Sequence, residues 1–301
     1  MKRVAYLAVV LFLLTGCSAG SNEITTSLTA EQTVPVTTAA PTHTTSWAVP
    51  EFEAMMVVDN DQCAIYIREL WEDPVWGWSM RVELENKSDT KTYMYAVSSA
   101  SINDVQAEPL FAIEVAPGKK AREVLHVRDA SLEDQNIGLY SDVELHFRVY
   151  DTDDWTAQPV ATPSIHVYPY GAKNAERFIR QPQPGDMVLA NDEGVTVTAI
   201  DFMQDPIWGY TTKLFLENNT EKNLLFTVEN ASVNGYMADP LFAKTVNAGN
   251  CAFGGISWSN HVLEELEITE VESLEFVLRV YDAEDWSQGD IINTTVAISP
   301  K

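Results

Sequence analysis

After residue 50, hydrophobic and polar residues alternate with a period of two through most of the chain, the pattern of strands with one buried face. Ala64–Ile67, Met80–Leu84, Val124–Val127, Val143–Val149 and Ile165–Val167 read as strands, and so do Val195–Ile200, Lys213–Leu216, Leu274–Tyr281 and Thr294–Ile298. Asn86-Lys87-Ser88-Asp89 and Pro117-Gly118-Lys119 supply turn residues between them. Only Ser131–Ile137 and His261–Glu267 space their apolar residues as a helix does, and each predicts a short crossover.

The same pattern occurs twice. Asp73-Pro74-Val75-Trp76-Gly77-Trp78 returns as Asp205-Pro206-Ile207-Trp208-Gly209-Tyr210, and Leu84-Glu85-Asn86 as Leu216-Glu217-Asn218, both at an offset of 132. One residue is then lost. Ala100-Ser101-Ile102-Asn103, Pro109-Leu110-Phe111-Ala112 and Arg148-Val149-Tyr150-Asp151 return 131 residues later, at Ala231, Pro240 and Arg279. A repeat this long duplicates a whole domain, unlike the 20–50-residue periods of solenoids. With about seven short strands per copy, the chain is expected to be all-β: two tandem antiparallel β-sandwiches, residues 51–170 and 187–301. The Pro- and Gly-bearing stretch 171–186 is the expected linker.

The N-terminal region has a different character. Lys2 and Arg3 precede an apolar run, Val4–Leu14, that is too short for a bilayer, which needs roughly 20 apolar residues. It fits the hydrophobic part of a signal peptide. Leu14-Thr15-Gly16-Cys17 resembles the bacterial lipobox, in which small residues suit the peptidase and the cysteine thiol takes the lipid. On this reading residues 1–16 are a lipoprotein signal peptide and Cys17 is the lipid-attachment site. The protein is then held by its lipid on the outer face of the cell membrane, since two acyl chains suffice for stable anchoring. Residues 17–50, rich in Thr and Pro, lack the apolar content to repay ordering and read as a disordered tether.

Charge narrows the function. The net charge is −25, divided between 22 acidic and 9 basic residues in 51–170 and 20 acidic and 8 basic in 171–301. Such a surface repels phosphate backbones, so nucleic acid is not an expected partner. Beyond Cys17 there are two cysteines, Cys63 and Cys251, which the repeat places at non-equivalent positions; they are expected to be unpaired.

The Glu-Asn that closes the second strand, the Ser101-Ile102-Asn103 and Ser232-Val233-Asn234-Gly235 segments, and the strand end Phe147-Arg148-Val149-Tyr150-Asp151 carry a family likeness. In these residues the chain resembles the tandem immunoglobulin-like domains of unknown function in surface lipoproteins of Gram-positive bacteria. The resemblance covers both repeats and implies an immunoglobulin-like sandwich. The inter-sheet cysteine pair of immunoglobulins is missing, and the family offers no catalytic residues to carry over.

Two constellations could carry chemistry. Asp151, Asp153 and Asp154 recur as Asp282, Glu284 and Asp285, and such oxygen-rich positions suit a hard cation such as Ca²⁺. The same residues also suit a solvated turn. Among the aromatic residues, the match between copies assigns Trp76 and Trp208 to the ends of the two cores. Trp71, Trp78 and Tyr210 are then the candidates for exposed ligand contacts. There is no Gly-x-Ser-x-Gly elbow, no His-Glu-x-x-His and no phosphate loop. The expectation is therefore a non-catalytic surface lipoprotein binding an extracellular or cell-envelope protein or glycan, duplication favouring avidity. The alternatives are a structural spacer stiffened by Ca²⁺ at the acidic turns, and a small extracellular hydrolase.

Overall fold

The computed structural model describes residues 47–127, 132, 135 and 137–300. Cys17, the signal peptide and most of the tether lie outside them, as does most of the helix expected at 131–137. Trp47–Lys301 forms one compact unit. Its first half contains β1 (Met55–Asp59), β2 (Cys63–Asp73), β3 (Gly77–Asn86), β4 (Tyr93–Ile102), β5 (Val105–Ala107), β6 (Ala112–Val115), β7 (Lys120–His126), β8 (Val143–Asp151) and β9 (Ser164–Val167). The second half repeats the series as β10 (Met187–Asp192), β11 (Val195–Asp205), β12 (Gly209–Asn218), β13 (Leu224–Val233), β14 (Tyr236–Met237), β15 (Ala243–Val246), β16 (Cys251–Trp258), β17 (Leu274–Asp282) and β18 (Asp290–Ile298). The helix expected at His261–Glu267 is α1 (Asn260–Glu265), capped by the Ser259 hydroxyl, which accepts the Val262 amide.

The fold is all-β, with sheets that are almost wholly antiparallel, as the alternation predicts. One sheet has the order β1-β2-β3-β7 and another β14-β13-β17-β18, with β15 beside β13. Each repeat closes around its own core. Ile65, Met80, Val82 and Leu84 of the first sheet meet Tyr95, Leu145, Phe147 and Val149, all fully or almost fully buried. In the second repeat Val197, Leu214 and Ile256 meet Phe226, Phe276 and Leu278. The alternation in β8, inward at Val143, Leu145, Phe147 and Val149, is the sequence pattern realised.

The third sheet runs through both repeats, in the order β10-β11-β12-β16-β5-β4-β8-β9, because β16 pairs in parallel with β5 at Cys251 and Val105. Apolar side chains reinforce this joint. Phe215 and Phe253 face each other across β12 and β16 with ring centroids 5.2 Å apart. Phe178, from the segment between the repeats, packs edge-on to both at 6.3 and 5.8 Å. Arg177 pairs with Asp104 and donates to the Gly249 carbonyl at 2.6 Å.

The shared motifs have structural roles. Asn86 and Asn218 are buried, and each side-chain amide nitrogen donates to neighbouring loop and strand-end carbonyls. Asn86 reaches Lys91 and Val115, both at 2.8 Å, while Asn218 reaches Lys222, Val246 and Asn247 at 2.8 to 2.9 Å. Asn103 and Asn234 sit in the left-handed region at φ 52° and 51°, which asparagine tolerates. Their side-chain oxygens accept the amides of Ser141 and Asp142, and of Glu272 and Ser273.

Candidate binding groove

The Asp-Pro-x-Trp-Gly turns are built alike. Asp73 Oδ1 accepts the amides of Val75 and Trp76, and Asp205 Oδ1 those of Ile207 and Trp208, at 2.8 and 2.9 Å in both turns. These bonds hold both carboxyls below the usual carboxylate range. Gly209 has φ 83°, and a Cβ there would lie 2.1 Å from the Trp258 carbonyl oxygen, so no other residue fits. The turn lifts the tryptophan outward: Trp76 is 54% exposed and Trp208 57%. This inverts the sequence expectation that these two plug the cores. Trp78 is the buried one, edge-on to Tyr170 at 5.6 Å. Strand parity explains the inversion, since Trp78 shares a face with the core residues Met80, Val82 and Leu84.

Beneath these tryptophans the repeats differ. In the first, Trp76 lies against His126 at 5.4 Å, and His126 Nδ1 is 2.8 Å from the Ser79 hydroxyl. In the second, Ser257 replaces that histidine and its hydroxyl bonds Thr211 at 2.9 Å. Glu123 and Val124 of β7 correspond to Gly254 and Gly255 of β16. Two shortened side chains, Gly255 and Ser257, face Lys213 and Thr211 and leave a groove of about 780 Å³ along β12 and β16, walled by Trp208, Leu241, Phe242, Phe253 and Lys213. Leu241 closes one side through paired backbone bonds with Ser257, at 2.8 and 3.2 Å.

Lys213 is partly buried in this groove and has no ion pair or hydrogen bond among the described residues. Its counterpart in the first repeat, Arg81, bonds Glu69 at 2.9 Å and lies over Trp71 at 5.5 Å. Asp201 stands across from Lys213 in the strand register, but its Oδ1 accepts the Phe202 amide instead.

The other candidate residues are dispersed. Trp71 is partly buried under Arg81, and Tyr210 lines a separate cleft of about 520 Å³ with Phe202 and Leu263. In the acidic turns, Asp151 pairs with Lys91 at 2.8 Å and accepts the Asp153 amide at 3.0 Å. Asp154 accepts from Thr156 and Ala157. Asp282 accepts the amides of Glu284 and Asp285, Glu284 accepts from Asn223, and Asp285 from Ser287 and Gln288. Among the described residues no group of three His, Cys, Asp or Glu side chains is placed to hold a metal ion. Cys63 and Cys251 are unpaired and buried; burial pushes their thiols up to about 11 and about 12.

The groove was not anticipated from the sequence. Its signal lay in the repeat alignment, where Glu123, Val124 and His126 face Gly254, Gly255 and Ser257. Among the described residues no helix is long and apolar enough to cross a membrane. No protein-family model matches the chain, and no curated protein matches it either.

Proposed function

We propose that this protein is a non-catalytic surface lipoprotein, anchored through Cys17 and lifted from the membrane by its Thr-rich tether. Its second repeat captures an extracellular or cell-envelope protein or glycan. The observation that carries this reading is the groove itself: it opens in one repeat where the duplicate position is filled by a histidine lying against a tryptophan. A duplicated pair in which one member keeps packed side chains and the other trades them for glycine and serine fits division of labour. The first repeat supports, and the second binds. The groove's size falls in the range of ligand sites, roughly 300–1,000 Å³, with mostly apolar walls. Its two hydroxyls bond each other, which suits binding better than nucleophilic attack.

The test uses the full chain immobilised and exposed to solubilised envelope and secreted material. Retention of a component by the wild type, and its loss from Ser257→His, which restores the first repeat's filling, is the expected result. Equal retention by both proteins, or none by either, ends the reading. Incorporation of labelled fatty acid, abolished by Cys17→Ala, checks the anchor separately.

A further inference from the structure

We infer that the occupant of the groove is a protein segment that presents one carboxylate beside an apolar side chain, the carboxylate pairing with Lys213. This rests on the reading of the groove as a capture site and names what it captures.

Lys213 supplies the charge. Lys213 makes no ion-pair contact among the described residues, whereas its first-repeat counterpart Arg81 is given to Glu69. Beside the Trp208 and Ile207 amides, Lys213 helps hold the Asp205 carboxyl low through its charge, but among the described residues no carboxylate lies within ion-pair distance of it. A carboxylate entering the groove would complete a charge-assisted bond that the fold leaves open. The walls supply the rest. Trp208, Leu241, Phe242 and Phe253 require an apolar body. The Thr211 and Ser257 hydroxyls bond each other, and Thr211 also the Gly209 carbonyl, so their protons are already committed within the fold. A neutral glycan would leave Lys213 without an ion-pair contact. A single acidic side chain in an otherwise apolar stretch meets both demands.

A randomised linear heptapeptide display library is selected against the immobilised full chain, and in parallel against Lys213→Glu and Lys213→Met. Wild type is expected to enrich peptides with Asp or Glu within two positions of Phe, Trp, Leu or Ile. Lys213→Glu should exchange the acid for Lys or Arg, and Lys213→Met should keep the apolar preference and lose the acid. A selected peptide should bind Lys213→Met about tenfold more weakly, near 1.4 kcal/mol. Acidic peptides enriched equally on Lys213→Glu overturn the inference, and so does failure to enrich any motif. Should Lys213→Glu not fold, the wild type and Lys213→Met arms decide alone. Protease treatment of the material captured from the envelope separates the two readings. A protease-resistant, sugar-containing catch sinks the peptide and leaves the capture function standing, whereas no catch at all sinks the capture function.

Discussion

Glu83 and Phe215 occupy the same position on the same sheet face of the two repeats, 132 residues apart, and that face is open in one and covered in the other. Glu83 bonds Arg68 at 2.8 Å and Arg122 at 2.9 Å on an open face. Phe215 is 5% exposed, against Phe253 and Phe178, where the second repeat meets the first. At all three positions a charged residue of the first repeat (Arg68, Glu83, Arg122) corresponds to an apolar one of the second (Ile200, Phe215, Phe253). A head-to-tail interface of this kind would propagate if both ends were apolar. The first repeat carries Arg68, Glu83 and Arg122 on the corresponding face, which is ill suited to such a joint.

Removing the ring at the joint should therefore cost as much as a core truncation. Phe215→Ala is expected to lower stability by about 3 kcal/mol. Calorimetry should resolve two unfolding transitions where the wild type has one. A single transition with unchanged midpoint would show that the joint contributes little.

The buried asparagine amides are structural and not part of a binding site. Asn218→Ala strands the Val246 and Asn247 carbonyls and should cost about 2 kcal/mol, read from urea unfolding. Binding of a selected peptide by the folded variant should be unchanged, because the groove lies elsewhere on the sheet.

The acid limb of stability has a traceable source. Arg279 holds the Asp290 carboxyl below the usual range through bonds of 2.7 and 2.8 Å. A depressed carboxylate contributes stability above its unfolded value, near 3.8, and that contribution is lost as pH falls through the folded value. Asp290→Asn should thus lower the melting temperature at pH 7, and the gap from wild type should close as the pH drops below about 4. A gap that persists at low pH would contradict this origin.

Calcium should leave the protein unmoved. Lys91 and the Asp153 amide already occupy Asp151, and Lys222 and backbone amides occupy Asp282. The melting temperature in millimolar Ca²⁺ and in chelator is expected to agree within about a degree, which at this size is a fraction of a kcal/mol. A larger rise would restore the cation-stiffened spacer as the better account of the acidic turns.

Much of the fold was legible because its determinants are local. Period-two alternation marks which side of β8 is buried, and Asp with Gly around Pro-x-Trp marks a turn wherever it occurs. The burial of Trp78 was legible too, by counting two by two from Met80, although pairing the copies by residue type pointed to Trp76 instead.

The sequence alone determined the duplication, the strand faces, the turns and the division of charge, since each can be read from residue order without knowing which strands pair. Only the tertiary structure decided that β16 joins β5, that Phe215 is covered, and that Lys213 lines a groove with no ion-pair contact among the described residues. Those outcomes depend on which distant segments meet, Cys251 with Val105 and Phe215 with Phe178, or on the space left when a facing residue is small. Gly255 reads as a weak strand residue in the sequence; in the fold, the missing side chain helps open the groove.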